Sequence, residues 1–256
     1  MKYTDINADT INRWVDGGWE WSVPITHEAY QSAKRGEWDV LLSPRKNVPH
    51  GWFEPCLANG RLGGAKLLGL ACGGGQQMPI FAALGADCTV LDYSERQLDQ
   101  ERYVAAREGY NICIVRADMS EQLPLEDGAF DVIFNPVSNC YIEDVYHVWR
   151  ECFRILKHGG LLLAGMDNGF NFMFDDYAER PLVVANRFPF NPLKNPDQTK
   201  YSKSDGIQFS HTLEEQIGGQ LKAGFRLTDV YEDTNSDPAS IEDGIPAYWI
   251  TRSVKP

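Results

Sequence analysis

A glycine-rich segment at residues 69–76, with the sequence GLACGGGQ, is the first part of the chain whose residue types point to chemistry. The apolar run KLLGL at residues 66–70 leads into it, and a segment with helical character follows at residues 76–84. Glycines let the backbone approach a ligand closely, and the free N–H groups at a helix start attract a carboxylate or a phosphate. The three consecutive glycines therefore favour a binding site for a nucleotide-like ligand over an ordinary turn.

An acidic residue, Asp92, ends the next apolar run and lies 17 residues after Gly75. An aspartate at the tip of the second strand can accept hydrogen bonds from both hydroxyls of a ribose. Taken alone, Asp92 could equally cap the following helix, which Ser94 is placed to begin. Its position beside the glycine-rich segment favours the ribose-binding role.

The spacing of the glycines separates two classes of nucleotide-binding enzyme. A dinucleotide site carries the fingerprint G-x-G-x-x-G. Counted from Gly73, the third glycine position holds Met78, and counted from Gly69, the second holds Ala71. Neither register fits, so a nicotinamide-dependent oxidoreductase stays only as an alternative.

Five segments, in order between residues 67 and 165, together resemble the motifs of the class I, Rossmann-like S-adenosylmethionine-dependent methyltransferases of the small-molecule type. Each is weak alone, but their order and spacing agree with that family. One departure is the alanine at position 71, where glycine is commoner. The five segments are GLACGGG at 69–75, LDYS at 91–94, ADM at 117–119, LPLEDGAFDVI at 123–133 and RILKHGG at 154–160.

This resemblance implies that S-adenosylmethionine is the cofactor and S-adenosylhomocysteine the product. It also implies that Asp118 faces the amino group of the adenine. The residues expected to bind the cofactor are Gly69, Ala71, Cys72, Gly73, Gly75, Gln77, Asp92, Tyr93, Ser94, Gln97, Asp118, Met119, Asn135 and Val137.

Catalysis of methyl transfer needs mainly an aligned nucleophile and a dry site, because the methyl group already sits on a sulfonium. A general base is therefore optional, and the two candidates are His27 and Tyr141. His27 could instead be a surface or capping histidine, and Tyr141 could simply pack. The segment NPVSN at residues 135–139 shares only two letters with the N-P-P-Y motif of amino-group methyltransferases, so it identifies no acceptor.

These motifs require short strands that alternate with helices, which is typical of a parallel sheet. We predict an α/β fold, a doubly wound and mostly parallel seven-stranded sheet with helices on both faces. The predicted strands are residues 66–70, 88–91, 112–115, 131–134, 161–164, 225–231 and 247–251. The predicted helices are residues 76–84, one from Ser94 to Gly109, residues 143–156, and one that a capping box at Thr212 and Glu215 begins and that ends near Gly224.

Two segments with poor periodicity flank this core. Residues 1–62 form an N-terminal cap segment that holds five of the seven tryptophans, and residues 63–256 form the core with a lid-like insertion at 167–206. The two segments either close over the acceptor or merely extend the core, since a long irregular stretch usually has one of these roles. The aromatic residues of the insertion are Phe170, Phe172, Phe174, Tyr177, Phe188 and Phe190.

The amino-acid composition of the chain limits the kinds of partner that the protein is expected to bind. The net charge of −12, from 24 basic and 36 acidic residues, disfavours nucleic acid or another polyanion, so we expect a small-molecule acceptor. The six cysteines form no C-x-x-C pair and no zinc-ligand pattern, so we expect reduced thiols and no metal. Without a signal-peptide pattern or a spanning apolar run, we expect a cytoplasmic protein that does not contact the membrane. The oligomeric state stays open, as does a non-catalytic regulator that binds S-adenosylmethionine.

Overall fold

The computed structural model describes residues 2–174, 183–195, 205–235 and 245–256. Seven strands within these ranges form one sheet. They are β1 Lys66–Leu70, β2 Asp87–Asp92, β3 Cys113–Arg116, β4 Phe130–Asn135, β5 Leu156–Asp167, β6 Arg226–Asp233 and β7 Tyr248–Val254. Their order across the sheet is β3-β2-β1-β4-β5-β7-β6.

Seven α-helices accompany the sheet in the described part of the chain, and three short 3₁₀ helices connect them. The α-helices are α1 Tyr3–Asp16, α2 His27–Arg35, α3 Met78–Ala83, α4 Glu95–Glu108, α5 Val145–Ile155, α6 Phe170–Met173 and α7 Leu213–Ala223. The 3₁₀ helices are Glu20–Ser22, His50–Phe53 and Asn139–Tyr141.

Strand pairing confirms the predicted fold class. Strands β1 to β5 pair in parallel, whereas β7 pairs antiparallel with both β5 and β6. The chain passes from β1 outward to β2 and β3, then returns to place β4 on the other side of β1. This reversal opens a crevice at the carboxyl ends of β1 and β4, the place where open α/β sheets bind ligands.

The core lies on both faces of the sheet because alternate residues of each strand point in opposite directions. Leu67 and Phe134 pack with Phe81 in one buried cluster. Leu68 packs with Trp149 in the other. Burial on both faces explains why the parallel strands read as nearly continuous apolar runs in the sequence.

Three elements differ from the sequence-based prediction. Helix α3 begins at Met78 rather than at position 76, because the residues before it belong to the glycine turn. Strand β5 runs twelve residues to Asp167, well beyond the predicted residues 161–164. Helix α1 is a regular fourteen-residue helix, although its segment of the sequence shows no clear apolar periodicity. The periodicity is absent because the buried positions of the helix include the polar residues Thr4, Asn7 and Thr10.

The lid-like insertion is described only in part. Helix α6 and an isolated bridge between Phe174 and Val184 follow β5. Tyr177 lies outside the described residues. In the described ranges, no helix is both long and apolar enough to cross a membrane, and no group of three His, Cys, Asp or Glu residues could hold a metal ion.

Candidate active site

The glycine turn joins β1 to α3 and has an unusual backbone. Ala71, Gly73 and Gly75 have φ angles of 46°, 81° and 76°, in the left-handed region that favours glycine. A side chain at Gly73 would also lie 3.0 Å from the carbonyl oxygen of Trp21. The turn is therefore shaped for backbone approach on one side and packed by the N-terminal segment on the other.

A buried carboxyl group stabilises this turn through a hydrogen bond to its backbone. Glu101, on α4, is completely buried, and its Oε1 accepts a hydrogen bond from the Gly75 N–H at 2.8 Å. Among the described residues its Oε2 has no hydrogen-bond partner. Burial raises the pKa of Glu101 to about 8, so the group carries a proton at neutral pH.

Asp92 ends β2 beside the turn and is only 8% exposed. Its Oδ1 accepts the Ser94 N–H at 2.8 Å, and burial raises the pKa of the carboxyl to about 6 although backbone N–H groups oppose this shift. Ser94 caps α4 by accepting the Gln97 N–H, and it donates its hydroxyl to Asn12 on α1. The predicted cap of this helix is thus confirmed, and Asp92 has a second oxygen for a ligand.

Asp118 follows β3, and within the described residues only one of its two carboxylate oxygens accepts hydrogen bonds. Its Oδ1 accepts hydrogen bonds from the N–H and the hydroxyl of Ser120 at 2.9 and 2.7 Å. Its Oδ2 and the Oε1 of Gln97 are buried without a hydrogen-bond partner among the described residues. Buried acceptors of this kind are costly unless a donor reaches them. The amino group of an adenine and the hydroxyls of a ribose are such donors, so these residues fit an adenosyl cofactor.

One cavity of about 360 Å³ lies over the carboxyl ends of the parallel strands. Such a volume is within the range of small-molecule sites. Most of the residues predicted from the sequence to bind the cofactor line it, and so does the candidate base Tyr141. They are Ala71, Cys72, Gly73, Gln77, Asp92, Tyr93, Ser94, Gln97, Asp118, Met119 and Val137.

Three further residues predicted to bind the cofactor are not among those that line the cavity. A Cβ at Gly69 would collide with the sulfur atoms of Cys72 and Met78, so this glycine allows β1 to pack against α3. Gly75 faces Glu101 through its N–H. Asn135 donates from Nδ2 to the carbonyl oxygen of Leu70 at 2.8 Å and thereby ties β4 to the end of β1. These contacts show that the three residues shape the turn and the end of β1.

His27 is not brought to the cavity. It begins α2, its side chain is 60% exposed, and its Nδ1 lies 2.8 Å from Oε2 of Glu108 at the end of α4. The cavity-lining residues do not include it. Its exposed position beside Glu108 matches the alternative of a surface histidine.

Much of the rest of the cavity wall comes from segments that the motifs did not mark. Helix α1 contributes four residues, and residues 41–44 also line the cavity. Asp167, at the end of β5, adds a carboxyl group that is only 7% exposed, and Tyr248 on β7 lies beside it in the sheet. The sequence carried one usable signal for Asp167, because the end of a fifth parallel strand must lie at the ligand-binding edge.

Helix α1 is fixed to the core on both sides of the cavity. Asn7 donates from Nδ2 to the carbonyl oxygens of Tyr141 and Ile207, and it accepts the Ile207 N–H at 2.6 Å. The Tyr93 hydroxyl donates to Asp5 at 2.9 Å. The N-terminal helix therefore covers residues of the cofactor motifs as well as the far end of the cavity.

Comparison with known proteins agrees with this geometry. Residues 68–164 match the methyltransferase-domain family. The chain is 40% identical over 255 residues to an uncharacterized methyltransferase, YbaJ, of Bacillus subtilis, and the match covers 97% of both chains.

Two solved structures share the fold. An S-adenosylmethionine-dependent methyltransferase from Mesorhizobium loti has a TM-score of 0.59 and 22% identity, over 75% of this chain and 91% of that one. Another from Thermotoga maritima has a TM-score of 0.51 and 20% identity, over 97% and 99% of the two chains. The glycine turn, the two aspartates and these relatives lead to one conclusion, that the chain belongs to the class I S-adenosylmethionine-dependent methyltransferases and is an enzyme of that family.

Proposed function

We propose that this enzyme transfers the methyl group of S-adenosylmethionine to a small molecule that binds in the same cavity. The supporting observation is that one cavity joins residues of the cofactor motifs to side chains from α1, residues 41–44 and the end of β5. Direct transfer requires the cofactor and the acceptor to share one space that excludes water. A cavity of about 360 Å³ over the sheet is suited to a small acceptor, and the net charge of −12 disfavours a polyanion.

The cofactor takes the side of the cavity above β1 and β2 in this proposal. The backbone of the glycine turn receives the methionine portion, because Ala71, Cys72 and Gly73 line the cavity and a glycine lets a ligand approach the backbone closely. Asp92 accepts the ribose hydroxyls, and Asp118 accepts the amino group of the adenine through its buried Oδ2. The cofactor supplies an electrophilic methyl group on a sulfonium.

The acceptor takes the side formed by the flanking segments, which we assign as a cap. Trp19, Trp21 and Leu41 line the cavity from the N-terminal segment, and Phe172 lines it from the insertion. These large apolar side chains exclude water from the reacting atoms. The division into cap segment, core and insertion is part of this proposal.

The protein's own part in the reaction is to hold the acceptor in line and to remove a proton where the acceptor needs it. Tyr141 lines the cavity and packs near Trp14, with ring centroids 6.5 Å apart. Its hydroxyl is thus a candidate for contact with the acceptor.

A cytoplasmic location of the enzyme stays a prediction.

A transfer assay tests the proposal. Purified enzyme is incubated with methyl-labelled S-adenosylmethionine and fractions of a small-metabolite extract, and labelled products are detected by mass spectrometry. We expect label in at least one small-molecule fraction with the wild type and none with Gly73→Val. Thermal unfolding should show stabilisation by S-adenosylhomocysteine and not by NADH. Stabilisation by NADH alone would support the oxidoreductase alternative, and cofactor binding without label in any fraction would contradict small-molecule transfer.

A further inference from the structure

Asp167 is a buried carboxyl group that none of the methyltransferase motifs explains. It ends β5, is 7% exposed and lines the cavity. Its Oδ1 accepts the Gly169 N–H at 2.5 Å, and its Oδ2 accepts from Nδ2 of Asn171 at 2.7 Å. Each carboxylate oxygen can accept a further hydrogen bond. The group is therefore held in place and still able to receive a ligand.

Neighbouring polar groups keep this carboxyl oriented. Asn171 also donates to the hydroxyl of Tyr248 at 3.2 Å, and that hydroxyl donates to Asn235 at 2.8 Å. Asn235 in turn donates back to Oδ1 of Asn171 at 3.0 Å. A closed set of hydrogen bonds of this kind reduces the side-chain motion that ligand binding would otherwise have to suppress.

The position of Asp167 separates it from the cofactor motifs. Strand β4 lies between β1 and β5, so two inter-strand spacings, about 10 Å, separate the ends of β1 and β5. Asp92 and Asp118 lie on the opposite side of β1, after β2 and β3. The ribose and adenine contacts are thus accounted for without Asp167, which is left for the acceptor.

The charges and rings of the cavity that Asp167 lines favour a cation. Three aspartates line the cavity, and its described lining contains no Lys, Arg or His. Aromatic side chains are also present, and their faces attract ammonium groups. Those in the lining are Trp19, Trp21, Tyr93, Tyr141, Phe172 and Tyr248.

We infer that the acceptor is an amine and that Asp167 binds its ammonium group and takes up its proton. This inference rests on the proposed function and names the acceptor class of that same site. A carboxylate or phosphate acceptor would meet a desolvated like charge, which is unfavourable. An amine meets an opposite charge in a cavity that otherwise offers aromatic and neutral polar contacts.

The reaction balances with these groups alone. The bound ammonium group, R–NH₃⁺, gives one proton to the Asp167 carboxylate and becomes a neutral amine. Its lone pair forms a bond to the methyl carbon, while the electrons of the sulfur–methyl bond return to sulfur and leave S-adenosylhomocysteine. The product is a methylammonium ion, and Asp167 then releases its proton to water. Burial raises the pKa of Asp167 to about 7, against the effect of the Gly169 and Asn171 donors, which suits a group that takes and releases a proton near neutral pH.

Matched ligands test the inference by binding as well as by turnover. The wild type is saturated with S-adenosylhomocysteine and titrated calorimetrically with phenethylamine, 2-phenylethanol and 3-phenylpropionate, and with butylamine, butanol and butyrate. At least one amine should bind more tightly than its matched alcohol and carboxylate. Asp167→Asn should weaken that binding by about ten-fold or more, since it removes a charge-assisted contact, and should leave the affinity for S-adenosylhomocysteine within about two-fold. The same variant should lose transfer of labelled methyl to that amine.

The control is Glu126→Gln, which removes one negative charge from an exposed loop residue outside the cavity lining. It should change neither affinity. If no amine is preferred over its matched alcohol and carboxylate, or if Asp167→Asn weakens S-adenosylhomocysteine instead, the inference is overturned. Failure of the wild type to bind S-adenosylhomocysteine at all would contradict the proposed function itself, so the two failures are distinguishable.

Discussion

Replacing Glu101 by glutamine removes an ionisable group next to the glycine turn. The effect on the free energy of unfolding should therefore depend on pH. The carboxyl group is fully buried and accepts the Gly75 N–H at 2.8 Å. Burial raises its pKa from 4.5 to about 8; the Gly75 N–H lowers it, and the charge of Asp92 raises it. Between these two pH values the folded protein keeps a proton that the unfolded chain has lost. Because the folded state then binds more protons, its stability falls as the pH rises from 4.5 to 8.

The size of this loss follows from the displacement of the pKa. Between pH 5 and pH 8, a carboxyl group shifted in this way removes about 3 kcal/mol of unfolding free energy. Glutamine cannot ionise, and its amide oxygen can still accept the Gly75 N–H. The unfolding free energy of Glu101→Gln, relative to the wild type, should therefore rise by about 3 kcal/mol from pH 5 to pH 8.

Urea unfolding followed by tryptophan fluorescence, without ligand, measures this difference at both pH values. Burial also raises the pKa values of Asp92 and Asp167, to about 6 and about 7. Glu101 is still protonated where these two groups titrate, so they should titrate alike in the wild type and the variant and their effects should cancel. Glu126→Gln is the control, and its unfolding free energy should follow that of the wild type at both pH values. A relative change below about 1 kcal/mol for Glu101→Gln would show that burial does not keep this group protonated, and the reasoning would be refuted.

The remaining predictions concern the cavity. Asp92→Ala should weaken S-adenosylhomocysteine by about 10- to 150-fold in calorimetry, and unchanged affinity in a folded variant would reject the ribose contact. Since burial raises the pKa of Asp92 to about 6 and the ionised form accepts the hydroxyls, wild-type affinity should fall as the pH drops below 6, and Asp92→Asn should remove this dependence. Gly73→Val should abolish cofactor binding while circular dichroism stays native-like. A side chain at this position would contact the carbonyl oxygen of Trp21, and the φ of 81° disfavours any residue other than glycine. Retained tight binding would mean that the turn only supports the fold. Tyr141→Phe should lower methyl transfer and leave cofactor affinity unchanged; full turnover would assign Tyr141 to packing.

Much of the sheet and its turns could be predicted from the sequence because their signals are local. Strand β1 occupies Lys66–Leu70 as predicted, and Ser94 and Thr212 begin their helices as their capping patterns indicated. These features depend on apolar runs and on hydrogen bonds within three residues. The residues of the cofactor motifs likewise stand close to strand ends, where the topology brings them together.

The parts that could not be predicted depend on tertiary contacts. Helix α1 buries Asn7 and Thr10, and polar residues on a buried face erase the apolar periodicity that marks a helix. An acidic residue within a helix is usually solvated, yet Glu101 is fully buried beneath the turn. Asp167 belongs to no local motif, and its one signal is its place after the fifth strand. The predicted strand ends at residue 164, whereas β5 extends to Asp167, where it pairs with Tyr248 of β7.

The crystal structure of the complex with S-adenosylhomocysteine tests the central claim most directly. We predict that the ligand lies in the cavity over the carboxyl ends of β1 and β2, with its ribose hydroxyls within hydrogen-bond distance of the Asp92 carboxylate. The adenine amino group should lie at Asp118 and the sulfur should face the space beside Tyr141 and Asp167. A ligand bound elsewhere, or one in this cavity whose ribose does not contact Asp92, would contradict the account.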